Sequence, residues 1–459
     1  MFYKLLFCFF IIGCINNESF AQKKILQPNI PKTTEDSLLI DGYCQRFSFY
    51  QHDTITFFLN AKRRMKNAFL GVYNIEHQLV DSIKCDINPQ SMTNTDAYKN
   101  GFGYKMSTKY IIPKKLKSGI YFLGNDIAFL VKNSSKTKSK IAIVHPSNTD
   151  IAYNSKGGMS YYYPSHKIRA RILSKERPWV FSENGNPIEF YKWIEKQSLK
   201  IDYLCDEDME SFEHIKDYKL LIFTGHSEYW TRPARENFDK YIDENHNALI
   251  LSGNMMYWQI RYEANEPNKQ ICYKYDAFSS DPIKDVTLKT SRWEDARLKY
   301  SQLNSIGLSY YYNGGFSISK NGFGGYKILK PQNELFKGIG LKYNDVLKFH
   351  ADEYDGANVT FVKNDKNPTD SYPIYNNDLT KFYKVALLAY DLCEPDWGGT
   401  DIHTGAIIAL KRKETSGIII NTGASNWCKE IGISEIQKVT INAINILLKE
   451  KSMNDLFLK

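Results

Sequence analysis

Two patterns of apolar positions follow one another along the chain. From Leu38 to about Lys132 the apolar residues come in short runs separated by polar turns. Ile55–Leu59, Phe69–Tyr73, Ile120–Leu123 and Ile127–Val131 read as strands, with no helical period between them. Strands at this spacing predict an antiparallel sandwich of immunoglobulin-like type. The polar segment Lys132–Lys140 predicts a domain boundary, after a linker over residues 22–37 and before a second domain over residues 140–459. Beyond it, Ile141–Val144, Leu220–Phe223 and Ala248–Leu251 are continuous apolar runs, the pattern of strands buried on both faces. Amphipathic helices are predicted between them, over Pro187–Lys200 and Arg232–Glu244. Strand and helix in alternation predict an α/β domain with a parallel sheet. Tyr262–Lys381 is less regular and rich in Gly, Tyr and Asn. Ala406–Leu410, Gly417–Asn421 and a helix from Ser434 to Glu450 close the chain.

Composition adds little to the fold but narrows the function. Of 459 residues, 42% are hydrophobic and 24% charged, the balance of a globular protein. The formal charge of +9 comes from scattered Lys and Arg with no nucleic-acid motif, which argues against a nucleic-acid partner. At the N-terminus, Lys4, the apolar stretch Leu5–Gly13 and Ser19-Phe20-Ala21 before Gln22 fit a secretory signal peptide over residues 1–21. The alternative is a lipoprotein anchored at Cys14, because Ile11-Ile12-Gly13-Cys14 resembles a lipobox. Either way the chain is expected to be exported, periplasmic or secreted. None of its eight cysteines forms a CxxC or other zinc spacing, and none lies in a nucleophile elbow.

The candidate chemistry gathers at the ends of the buried runs, where open α/β sheets bind ligands. After Leu220–Phe223 come Thr224-Gly225, then His226 and Glu228, which point the same way if the backbone stays extended. An imidazole and a carboxylate so placed can bind a metal or exchange protons. Tyr153, in Ala152-Tyr153-Asn154 after the first run, is expected on the same edge, where a bound cation would favour its phenolate. Asn254, after the third run, offers an amide to a developing oxyanion. Lys274, His350 and Glu353 fall in the irregular region and read alone as surface charges.

Taken together, AYNSKGG, TGHSEYWT, LSGN-x-x-YWQIR, ICYKYD, HADEYDG and NTGASNWC resemble the large (beta) subunit of N,N-dimethylformamidase and the proteins that share its C-terminal region. The earlier KSGIYF resembles the end of that family's sandwich domain. The resemblance implies an amidohydrolase on a glutamine-amidotransferase-like (flavodoxin-like) α/β domain, with a mononuclear Fe(III) held by two tyrosine phenolates and one glutamate. Tyr153 and Glu228 match two of these ligands. Tyr121 of SGIYF is the expected second phenolate, with Tyr229 as the alternative. His226, Asn254, Lys274 and Glu353 match residues that line the site and assist. The implied ligand is a small amide, and a homo-oligomer is compatible with the pattern. The family's enzyme works with a separate small subunit that this chain lacks. A second reading is an exported, glycan-related binding protein on the same scaffold without turnover; the six matching residue types favour the enzyme.

Overall fold

The computed structural model describes residues 40–134, 138–183, 185–317, 322–364, 367–395, 402–449 and 454–457. The expected signal peptide, the Cys14 anchor and the linker over residues 22–37 lie outside the described residues. The first part of the chain forms two facing sheets. One contains Ile40–Cys44, Thr54–Ala61 and Thr108–Ile111; the other contains Ser48–Tyr50, Met65–Asn74, Leu79–Ile87, Gly119–Leu123 and Ile127–Lys132. Thr54–Ala61 alternates in the manner of a strand with one face covered, sending Ile55, Phe57, Leu59 and Ala61 inward. These residues meet Leu70, Val72, Leu123 and Phe129 in a closed apolar core.

The second part is built on one nine-stranded sheet. Its strands, numbered here in chain order, are β1 (Ile141–His145), β2 (Ile201–Cys205), β3 (Leu220–Gly225), β4 (Asn247–Ser252), β5 (Gly325–Ile328), β6 (Val346–Lys348), β7 (Lys384–Cys393), β8 (His403–Lys411) and β9 (Ile418–Asn421). They lie in the order β2-β1-β3-β4-β9-β8-β7-β5-β6. β2, β1, β3, β4 and β9 are parallel. β9/β8, β8/β7, β7/β5 and β5/β6 are antiparallel.

This corrects the expectation of a parallel, flavodoxin-like sheet: the sheet is mixed. The alternation of strand and helix that suggested a parallel sheet holds only as far as β4. β8 ends at Lys411 and β9 starts at Ile418, a link too short for the crossover that a parallel neighbour requires. β5 and β6 come from the irregular region and carry no apolar run that would announce them.

Both faces of the sheet are buried. Ile141, Ile143, Leu220, Ile222, Leu249 and Leu251 enter one core; Ala142, Val144, Leu221, Phe223, Ala248 and Ile250 enter the other. On the first face lie helices α2 (Ile188–Glu195) and α4 (Ser434–Leu448), after the short α1 (Ser147–Tyr153); α3 (Arg232–Asp243) covers the second. α3 begins where Thr231 caps it, its Oγ1 accepting the N–H of Ala234 at 3.3 Å. Each fully buried Leu or Ile in these layers contributes roughly 1.5–3 kcal/mol.

The two parts share packing and one buried ion pair. Phe47, Ile120, Phe122 and Leu130 of the first part join the core on the α2 face. Lys132 Nζ lies 2.5 Å from Asp208 Oδ1, with both side chains buried. Asp208 also accepts from Ser48 Oγ and from the Cys205 N–H. Burial raises its carboxyl, but Lys132 and the Cys205 N–H, with His214, outweigh it and hold it below the usual range. The substitution Asp208→Asn leaves the Lys132 ammonium buried without a counter-charge, and is expected to cost about 3–5 kcal/mol in chemical denaturation. Adding Lys132→Met should restore much of the loss. A single variant as stable as the wild type would show that the pair does not couple the two parts.

Candidate functional site

Three chain segments that leave the parallel half of the sheet converge at one edge. β1 runs into α1, whose last residue is Tyr153. The buried guanidinium of Arg177 fixes this turn by donating to the carbonyls of Ile151, Asn154 and Lys156 at 2.8–3.2 Å. β3 ends at Gly225, whose φ is 70° and whose missing Cβ would lie 2.5 Å from the carbonyl oxygen of Gly185. The chain therefore turns here and delivers His226 and Glu228 to the crevice. The Glu228 N–H donates to Thr149 Oγ1 at 3.0 Å, and its carbonyl accepts from the N–H groups of Tyr257 and Trp258 at 2.9 Å. β4 leads to Asn254, held at a φ of 52° because Asp355 accepts its N–H and that of Met255.

At the centre is the buried carboxylate of Glu228. Tyr162 donates to Oε1 at 2.6 Å, and Tyr153 donates to Oε2 at 3.0 Å. The two phenol rings stack, with centroids 4.3 Å apart. Tyr229 stands behind, donating its hydroxyl to Tyr162 Oη at 2.7 Å. His226 Nε2 is 3.4 Å from Glu228 Oε2 and 3.6 Å from Glu353 Oε2. Asn254 Nδ2 donates to Glu353 Oε2 at 3.2 Å. The buried ammonium of Lys274 lies 3.4 Å from the ring centre of Tyr162 and 5.0 Å from that of Trp258. Among the described residues, His226 Nδ1 and Asn254 Oδ1 of the site are buried and find no hydrogen-bond partner.

The electrostatics follow from burial and from these neighbours. Burial raises the Glu228 carboxyl, but His226, Lys274 and Tyr162 together hold it below the usual range. Burial lowers His226, yet Glu353, Glu228 and Asp355 outweigh it and raise the imidazole to about 9. Burial brings the Lys274 ammonium down to about 8, against the pull of Glu228. Burial and then the Glu228 charge push the Tyr162 phenol well above its ordinary value. Burial raises Asp355 to about 7.

Residues 75–439 match the family described as N,N-dimethylformamidase beta subunit-like, C-terminal. The chain belongs to this family. No curated protein matches it. Among solved structures, a ThuA-like protein from Bacteroides uniformis aligns at 13% identity over 59% of this chain and 86% of its own, with a TM-score of 0.30. The β-galactosidase of Bacillus circulans sp. alkalophilus aligns at 9% identity over 65% of this chain and 31% of its own, also with a TM-score of 0.30. Likenesses this weak do not bear on fold or function.

Within this member of the dimethylformamidase-like family, the structure gathers Tyr153, His226, Glu228, Asn254, Lys274 and Glu353 at one site. It does not bring Tyr121 there. Tyr121 alternates with Ile120 and Phe122 along its strand; those two face the sheet, so Tyr121 faces the interior of the first part. It stacks on Phe129 and donates to the Lys117 carbonyl at 2.9 Å. Tyr229 is at the site but bonds Tyr162 rather than Glu228. Tyr162 was missed. The signal was present in the run Tyr161-Tyr162-Tyr163, in the loop that follows Tyr153. Asp355 was also missed, although it lies two residues beyond Glu353 on an extended stretch. His350 pairs with Asp352 at the surface.

These shifts set a pH dependence for the metal-free protein. An imidazole raised from about 6.5 to about 9 adds stability below pH 6.5 that is lost as pH rises through 9, worth roughly 3 kcal/mol. A carboxyl raised to about 7 acts in the same direction at lower pH, costing stability as it ionises between about pH 4 and 7. Urea denaturation of chelator-treated protein should therefore show stability falling from pH 6.5 to 8, before Lys274, lowered to about 8, begins to act in the opposite direction, and His226→Gln should remove most of that fall. A flat profile in the parent protein would contradict the placement of His226 between two carboxylates.

Proposed function

We propose that the chain is an exported, iron-dependent amidohydrolase that cleaves the C–N bond of a small linear amide. The observation that carries this reading is a buried glutamate whose two oxygens each meet a different tyrosine. Oxygens bound to one ion at about 2.0–2.2 Å lie within roughly 3–4 Å of one another, taking carboxylate–zinc distances as a guide. The separations of 3.0 and 2.6 Å around Glu228 fit that requirement once the phenol protons give way to a cation. Among the described residues no group of three or more His, Cys, Asp or Glu side chains is arranged for a metal, so the donor set depends on tyrosine oxygens. Oxygen donors of this kind suit a hard ion. Tyr153, Tyr162 and Glu228 would hold it, and Tyr162 takes the role expected of Tyr121 or Tyr229.

Bound Fe(III) would supply Lewis acidity for the attack of water on the amide carbonyl. Glu353, oriented by Asn254, accepts the proton of the attacking water. His226 lies between Glu228 and Glu353, and as an imidazolium it can pass a proton to the leaving nitrogen. Lys274 places positive charge against the Tyr162 ring, which favours the phenolate and offers a donor to the developing oxyanion. Tyr229 shares the phenolate charge through its hydroxyl. Export rests on the N-terminal pattern alone.

Protein purified without chelator should carry about one iron per chain and show a visible phenolate-to-Fe(III) band. Tyr162→Phe should shift or abolish the band and cut amide hydrolysis by at least roughly 10- to 100-fold, whereas Tyr121→Phe should alter neither. Full occupancy by zinc, or no band after reconstitution with iron, would count against the assignment.

A further inference from the structure

Beside the site lies a second cleft, of about 470 Å³, with a different chemical character. Its lining includes four cations, Lys99, Lys167, Arg169 and Arg171, against one carboxylate, Asp276. The arginines are held in place. Arg169 Nη2 and Arg171 Nη2 share Asp276 Oδ2 at 3.1 and 3.2 Å. Arg169 lies over the ring of Tyr275 and Arg171 over that of Tyr273, at 5.6 and 5.4 Å. The Arg169 side chain is only 8% exposed, and its Nε–H is buried and finds no acceptor among the described residues. Arg169 is matched by Asp276 and by the carbonyls of His166 and Tyr273, while Lys99, Lys167 and the half-exposed Arg171 leave the cleft with more positive than negative charge.

The cleft adjoins the glutamate site. Arg169 Nη2 reaches the carbonyl of Tyr273 at 3.5 Å, next to Lys274, and its charge opposes that of the Lys274 ammonium. His166 meets the Tyr162 ring edge-on at 5.7 Å. Tyr98, also in the cleft lining, donates its N–H to the Gly157 carbonyl, four residues beyond Tyr153.

We propose that this cleft binds an anionic group of the substrate, so that the amide cleaved at Glu228 belongs to an acidic molecule. The second half rests on the amidohydrolase reading; the anion site does not. Four cations and one carboxylate leave an excess of positive charge that attracts a carboxylate or a sulfate, and the half-exposed guanidinium of Arg171 offers the planar fork that carboxylates accept as well as donors for a tetrahedral oxyanion. A neutral amide such as a dialkylformamide has no group to place there.

The test separates the two parts. Malonate and sodium sulfate are titrated by calorimetry into the protein as purified, into Lys99→Glu/Lys167→Glu and into the milder Lys99→Gln/Lys167→Gln. At least one anion should bind the parent, at least roughly tenfold more weakly to the Glu variant, with the Gln variant between. Preference for malonate marks a carboxylate ligand, and preference for sulfate a sulfated one. Equal affinity across the three proteins, or no binding of either anion to the parent, overturns the anion site. Hydrolysis of N-formylglycine is then compared with that of uncharged N-ethylformamide. A kcat/KM at least roughly tenfold higher for N-formylglycine, with the preference lost in the Glu variant, is the expected result. Equal cleavage of both overturns the acidic substrate and leaves the amidohydrolase standing. Anion binding as described with neither amide cleaved tells against the amidohydrolase reading instead, and the anion site stands.

Discussion

A carboxylate taken out of water must be met by donors or by charge, and Glu228 is met by both. Two phenols, an imidazole and an ammonium surround it, and only the imidazole comes from its own segment. Removing the partners would leave a buried anion at a cost of several kcal/mol. The surrounding backbone reads as a set of devices that hold those partners in position. Gly225 turns the chain out of β3, Arg177 ties down the end of α1, and Asp355 holds Asn254 in a left-handed conformation. Each is itself buried and polar or sterically confined, so the site is costly to build and rigid once built.

The mixed sheet supplies the other half of the geometry. Its parallel strands send their carboxyl ends to one edge, which is where Tyr153, Glu228 and Asn254 arise. The antiparallel half begins at β8; within it β7 and β6 run in the direction of β9, so their carboxyl ends lie on the same edge, and Glu353 follows β6. Glu353 reaches the same crevice from a short strand of the irregular region, held by reciprocal bonds with Ser425 just beyond β9. The site therefore needs both halves of the sheet.

How much of this was legible in the sequence depended on the kind of signal. Continuous apolar runs marked β1, β3 and β4, because strands buried on both faces leave such a trace. The same signal said nothing of strand direction, and the mixed character of the sheet followed from a short β8–β9 link that periodicity does not weigh. Glu353 and Lys274 were placed by family resemblance and not by their neighbours, since a charge in an irregular segment reads as surface. Tyr121 failed for a reason of parity: one residue's shift along a strand exchanges the two faces. Tyr162 was overlooked in a Tyr-rich chain, where one more tyrosine in a loop carries little information until the fold stacks it on Tyr153.

The central claim is that Tyr153, Tyr162 and Glu228 share one ion. Anomalous diffraction at the iron edge, from crystals of iron-loaded protein, tests it most directly. The account predicts one peak about 2.0–2.2 Å from the two tyrosine hydroxyls and from the Glu228 carboxylate, taking carboxylate–metal distances as the guide. A peak that is bound by Tyr121, or by Tyr229 without Tyr162, or that lies away from Glu228 altogether, would contradict it.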